Sequence, residues 1–159
     1  MRSQPRKSAR KRRGAAAVEF AFVAPVFITI LMGVAEASHL FEAQNQLAVA
    51  VREGARLAAM DRNGMLADGQ TTNSKIADDI ENYLTASGLP GDQADVFIVD
   101  PTDHTTTFDL DDPVNDLQLF EVRVEVPYSA LTNAGGSSTN DWNMSAKIVF
   151  RNARAAIVQ

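Results

Sequence analysis

The chain has no cysteine, only two histidines and a single tryptophan in 159 residues. Without cysteine it can form neither disulfides nor thiolate metal sites, so any folded domain must be held together by packing alone. His39 and His104 belong to no zinc-binding motif, and the sequence carries no nucleophile-elbow, Walker or dinucleotide-binding motif. We therefore expect no catalytic residue, no bound metal and no cofactor, and a protein that is not an enzyme.

Acidic residues are absent from the first 14 positions, which hold seven of the 15 lysines and arginines. All 20 acids follow Gly14, so the remainder has a net charge of -12. A basic flank before an apolar segment and an acidic domain after it indicate a cytoplasmic N-terminus.

The basic tail could also bind nucleic acid or anionic lipid, or begin a secretory signal peptide cut near Ala35. It lacks interleaved aromatic residues, and we therefore expect no nucleic-acid partner.

Residues 15–35 are an apolar run of 21 residues interrupted by one acid, Glu19, and one proline, Pro25. A helix of that length spans about 30 Å, the thickness of a hydrocarbon layer, so the run predicts a single membrane span in contact with lipid. Proline has no amide hydrogen, and we expect a kink or a loosened turn at Pro25.

The helical pattern continues through residues 36–60, where there is no proline and where apolar residues recur at three- and four-residue steps. We predict one long helix over residues 15–60. Its second half has a seam of small residues, which indicates close packing against a partner. That partner is either the chain's own domain or a helix of another subunit. The seam consists of Ala43, Ala50, Gly54 and Ala58.

Residues 61–159 read as a small α+β domain. Ser74 or Asn73 can cap a helix over Ser74–Ser87. After Pro90 the period changes from four to two, which predicts strands over Val96–Val99, Leu117–Tyr128 and Met144–Ala153, with a minor strand at Phe108–Leu110. The alternation predicts an antiparallel sheet with one face buried and the other exposed to water. We expect Trp142 to cover part of this sheet as a lid.

A set of aspartates lacks the spacing of a calcium loop, so we interpret it as a solvated acidic segment. The set comprises Asp100, Asp103, Asp109, Asp111, Asp112 and Asp116.

Three stretches within residues 13–58 resemble the TadE-like proteins of tight-adherence (Flp-type) pilus systems, in the type IV pilin superfamily. Residues 14–20, GAAAVEF, look like a prepilin processing site, cut after Gly14 with a glutamate at the fifth mature position. Residues 22–27, FVAPVF, are similar to the proline-centred start of the family's membrane span. Residues 52–56, REGAR, match a block near the end of its long helix.

The resemblance implies a pilin-like fold and the role of a minor pilin or pseudopilin that takes part in pilus assembly or priming. It also implies a place in the bacterial inner membrane, with the C-terminal domain on the extracytoplasmic side. Its expected partners are the prepilin peptidase, other pilins or pseudopilins along the helix, and the membrane assembly platform. Gly14 and Ala15 would form the processing site, with residues 1–14 as the leader. Glu19 and Pro25 would set the register of packed helices. Arg52, Glu53, Gly54, Ala55 and Arg56 would contribute to helix packing.

The residues themselves leave other interpretations open. Glu19 can lie at the level of the lipid headgroups without a partner, and the two arginines with Glu53 can be a solvated helix face. The alternative function is an unprocessed, single-pass membrane-anchored binding domain that never assembles.

Overall fold

The computed structural model describes residues 9–60, 66–132 and 142–153, with side chains from residue 14 onward. The long helix α1 spans Ala9–Ala58 and the shorter helix α2 spans Thr72–Ala86. Three strands follow, β1 over Asp95–Val99, β2 over Leu119–Pro127 and β3 over Asn143–Arg151, with a four-residue helix α3 at Tyr128–Leu131 between the last two. Short 3-10 turns lie at Gly91–Gln93 and Pro113–Asn115. The predicted α+β class, with a long helix, a short helix and a small antiparallel sheet, is confirmed.

The chain divides into two compact units, Met1–His39 and Leu40–Gln159. In the first unit the described residues are helical, and their large apolar side chains are exposed in the isolated chain, for example Phe22 at 77% and Met32 at 70%. The helix from Gly14 to Ala58 contains an 18-residue stretch with a mean hydropathy of 2.2, and it is long and apolar enough to cross a membrane. A helix that is apolar on every side requires an apolar environment, so we treat it as the membrane anchor.

The second unit is built around the sheet, whose order is β1-β2-β3 with both pairs antiparallel. Alternate residues of β2 point to one face and are completely buried there, as the period-two pattern predicts. They contact the second half of α1 and the apolar stripe of α2. The core consists chiefly of Leu47, Val51, Ile76, Ile80, Leu84, Phe120, Val122, Val124 and Val126.

Helix α2 begins at Thr72, two residues earlier than predicted. Its N-cap is Thr71, whose side chain accepts a hydrogen bond from the Ser74 amide at 3.2 Å. Asn73 cannot serve as the cap because its amide group binds a distant loop, donating to Phe108 O at 2.7 Å and accepting from Leu110 N at 3.1 Å. The predicted cap at Asn73 or Ser74 is therefore wrong.

The end of α2 follows the predicted Gly-Leu-Pro-Gly signal. Gly88 has a φ of 84°, a backbone region that favours glycine. The amides of Leu89 and Gly88 donate to Leu84 O at 2.9 Å and Thr85 O at 3.0 Å, which is a Schellman motif.

The minor strand predicted at Phe108–Leu110 is not formed. The segment makes a single bridge, between Val99 and Thr107, together with a hydrogen bond from Phe108 N to Ile98 O at 2.9 Å. The Asn73 side chain satisfies Phe108 O and Leu110 N, the groups that a continuing strand would have used. A side chain from α2 thus replaces a strand neighbour.

Candidate assembly surface of the long helix

The segment around Gly14 is exposed helix. Gly14, Ala15 and Glu19 are all exposed, and a Cβ added at Gly14 would meet nothing within 4 Å. Packing against the described residues therefore gives no reason for glycine at position 14. Ala15 and Glu19 are four residues apart, so they lie on the same face of α1, about 6 Å apart along its axis.

Glu19 is the one acid of the apolar segment, and it pairs with no cation among the residues whose side chains the structure describes. An ionised group within the hydrocarbon region costs about 2.5–3.5 kcal/mol on insertion scales. Among the described side chains, no cation is placed to offset that cost for Glu19.

At Pro25 the helix continues without interruption. The Thr29 hydroxyl donates to the Pro25 carbonyl at 2.9 Å, and Ser38 makes the equivalent bond to Val34. Both hydroxyls are thus satisfied by their own helix, and for Thr29, which lies inside the apolar run, this meets the need for internal hydrogen bonds in lipid. The kink expected at Pro25 stays a prediction.

Residues 52–56 divide between two faces of α1. Gly54 and Ala55 are buried, whereas Arg52 and Arg56 are exposed. A Cβ added at Gly54 would lie 2.4 Å from Ile80 Cδ1, so the glycine allows α2 to approach closely. The small seam of α1 is therefore covered by the chain's own domain, which is one of the two partners that the sequence left open.

The exposed face of this block carries a local ion pair. Arg56 Nε donates to Glu53 Oε2 at 3.0 Å, and a second guanidinium nitrogen contacts the other carboxylate oxygen. The hydrogen bond from Arg56 lowers the pKa of Glu53, and the same bond raises the pKa of Arg56. Exposed pairs of this kind contribute little to stability because solvent screens them, so the pair fixes side-chain orientation more than it stabilises the fold.

The sheet holds a charged cluster that sequence analysis missed. Glu121 lies on the face of β2 expected to be wet, yet it is only 1% exposed. Its carboxylate lies 2.9 Å from His104 Nδ1 and 3.4 Å from Lys147 Nζ, with an Arg123 nitrogen at 3.9 Å. The segment that follows β1 places His104 against Glu121, and no periodicity in the sequence encodes that contact.

The other sequence candidates have structural roles. Asp103 accepts hydrogen bonds from the Thr106 hydroxyl and from Thr105 N and Thr106 N, the last two at 3.0 Å each, and these bonds lower its pKa to about 2. Within the described ranges no group of three or more His, Asp or Glu side chains is placed to hold a metal ion. Trp142 is 55% exposed and stacks on Tyr128 with ring centroids 4.6 Å apart. It therefore lies at the end of the β2–β3 pair and is not a lid on the sheet.

The comparisons with known proteins concern the same part of the long helix. The family model described as TadE-like protein matches residues 14–56. No curated protein and no solved structure matches the chain. The match begins at Gly14, includes Glu19 and Pro25, and ends at Arg56, two residues before the end of α1. Over this stretch, which is the membrane anchor and the helix that enters the core, the chain is similar to the TadE-like proteins.

Proposed function

We propose that this protein is a minor pilin or pseudopilin of a tight-adherence (Flp-type) pilus system. It is cut by a prepilin peptidase between Gly14 and Ala15 and takes part in assembling or priming the pilus. The observation that carries the proposal is the acid Glu19, which pairs with no cation among the described side chains and lies five residues after an exposed Gly14, in an apolar helix that matches TadE-like proteins.

Cleavage after Gly14 would supply the missing cation. It would create an α-ammonium on Ala15, which lies one helical turn from Glu19. The ammonium of the same chain or that of a neighbouring subunit could then neutralise the carboxylate within the membrane. A contact between subunits would fix the axial register of two packed helices, because any shift would leave a charge unpaired in lipid.

The basic leader and the acidic remainder support an orientation with the N-terminus in the cytoplasm and residues 36–159 outside the inner membrane. The partners are then the peptidase on the cytoplasmic side, other pilins or pseudopilins along the helix, and the assembly platform in the membrane. The protein acts in this proposal by assembly and not by catalysis.

The first test is the N-terminus of the mature protein, measured as intact mass from membranes of cells with and without the peptidase. We expect a chain that begins at Ala15 only when the peptidase is present. A chain that keeps residues 1–14 in both strains would contradict processing and favour the unprocessed anchored protein. A chain cut near Ala35 would identify a secretory signal peptide.

The second test separates processing from assembly. Glu19→Gln should leave cleavage intact and reduce surface pili at least tenfold, because the register contact is lost while the peptidase still reaches Gly14. Glu36→Gln, which lies just after the apolar run, is the matched control and should assemble normally. Equal piliation in both variants would contradict the role of Glu19.

A further inference from the structure

Strand β3 forms an edge of the sheet. Within the described residues its strand neighbour is β2, whereas the far edge of β1 is partly covered by the segment at Thr106–Phe108. β3 is nine residues long, from Asn143 to Arg151. A strand edge of that length presents a row of backbone donors and acceptors that can pair with another strand.

The register shows which backbone groups of β3 face outward. Tyr128 N donates to Trp142 O at 3.0 Å, and Asn152 N donates to Gln118 O at 2.9 Å. The pairing between these two points is continuous and has no bulge. Even-numbered residues of β3 therefore bond to β2, and the backbone groups of the odd-numbered residues point to the open edge. The outward-facing residues are Asn143, Ser145, Lys147, Val149 and Arg151.

A contact at this edge agrees with that assignment. The side-chain amide of Gln44, in α1, donates to the carbonyl of Ser145 at 3.1 Å. Ser145 is one of the odd-numbered residues. A side-chain N–H thus already occupies the carbonyl of Ser145, so the part of the edge left for an added strand is the stretch from Lys147 to Arg151, whose outward backbone groups have no bond to other described residues.

The side chains at the edge select the kind of strand that would pair there. β3 carries two cations, Lys147 and Arg151, and no acid. They are four residues apart on the same face, with half-exposed Val149 between them. Lys147 also contacts buried Glu121, but its side chain remains 54% exposed. On the opposite face Ile148 and Phe150 are partly buried and can contact apolar side chains of a neighbour.

A second copy of β3 would bring no acid to this edge, so in every register each of the two cations would face either a like charge or an uncharged residue. An antiparallel pair centred on Lys147 would place two lysines opposite each other, and one centred on Val149 would place Lys147 opposite Arg151. Like charges directly opposite each other are destabilising.

From these observations we propose that the open edge of β3 binds an extended segment of another protein by strand addition. The segment would carry two acids four residues apart, opposite Lys147 and Arg151, with apolar residues between them at the positions beside Ile148 and Phe150. This inference does not depend on the proposed role of Glu19 or on cleavage at Gly14.

The test uses the full chain in detergent micelles and two labelled peptides, Ser-Glu-Ile-Thr-Val-Glu-Ser and its lysine counterpart Ser-Lys-Ile-Thr-Val-Lys-Ser. The glutamate peptide should bind at least about twofold more tightly, since each cross-strand charge pair contributes roughly 0.2–1 kcal/mol. Arg151→Glu should reduce or reverse that preference. Equal binding of the two peptides to the unaltered chain would overturn the proposal.

Val149→Pro tests the backbone contact. Its amide points away from β2, so proline there leaves the β2–β3 hydrogen bonds intact while removing a donor from the edge. Binding of the glutamate peptide should fall at least tenfold in Val149→Pro and stay within twofold in Val149→Thr, the matched control. A far-ultraviolet circular dichroism spectrum unchanged from that of the original chain establishes that the proline variant is folded.

Amide hydrogen exchange locates the contact. The amides of Lys147 and Val149 should gain protection when the glutamate peptide binds, whereas that of Ile148 should change little because it already bonds to β2. Protection confined to another surface would overturn the proposal. So would a dimer of the chain alone that Val149→Pro dissociates, because the occupant would then be a second copy.

Discussion

At the scale of single residues, Gly54 shows how one side chain decides the distance between two helices. Gly54→Leu would place a branched side chain where Ile80 Cδ1 lies 2.4 Å from the position of a Cβ. Overpacking of this kind costs about 1–3 kcal/mol. We expect a loss of that size in the free energy of unfolding, measured by urea denaturation in detergent. Ala48→Leu, on the exposed side of α1, is the control and should change stability by less than about 0.5 kcal/mol. Equal losses in the two variants would contradict close packing at Gly54.

Asp103 makes a prediction about pH. Its pKa of about 2 in the folded chain lies below the ordinary value of 3.8, so the folded state binds the proton less readily than the unfolded state does. Its contribution to stability is therefore present above about pH 4 and is lost as the pH falls towards 2. Asp103→Asn should lower the melting temperature at pH 5 and have a smaller effect at pH 2, in thermal denaturation followed by circular dichroism. Asp68→Asn, in an exposed loop, is the control. An effect of Asp103→Asn that does not change with pH would contradict the assignment.

At the scale of secondary-structure elements, α2 and the loop before β2 are joined by one side chain. Asn73→Ala would remove the bonds to Phe108 O and Leu110 N and leave both groups without a partner. We expect a loss of about 2–3 kcal/mol, because each net hydrogen bond contributes about 1 kcal/mol and an unpaired buried group costs more. Urea denaturation measures the difference. The control Asn82→Ala, on the exposed side of the same helix, should be nearly neutral, and a similar loss there would refute the role of Asn73.

The elements also show where the sequence was sufficient and where it was not. The alternation Phe120, Val122, Val124 and Val126 predicted β2 and its buried face, because these positions depend only on local periodicity. Burial of Glu121 was missed because it depends on His104, 17 positions away, in a segment without periodicity. The N-cap of α2 was misplaced for a similar reason, since Asn73 is engaged by residues more than 30 positions away. In the candidate site, the long helix and its exposed acid could be predicted from composition. That α2 covers the small seam could not be predicted, because it depends on tertiary packing.

For the molecule as a whole, the division at residue 40 predicts which fragment can fold. The core takes residues from Ala43 to Ala58 of α1 in addition to α2 and the sheet. A fragment of residues 40–159 should therefore be soluble and unfold cooperatively, whereas one of residues 61–159 lacks buried Leu47 and Val51 and should not fold. Circular dichroism with thermal denaturation compares the two. Cooperative unfolding of the shorter fragment would contradict the place of α1 in the core.

The continuity of α1 has a mechanical consequence. The helix that begins at Ala9 and passes through the apolar segment also supplies Leu47, Val51 and Ala58 to the core, with no loop between the two parts. A force that pulls on the anchor therefore reaches the second unit along a hydrogen-bonded helix. It reaches the side-chain contacts that hold residues 43–58 of that helix in the core, so these contacts, and not a loop, resist the pull.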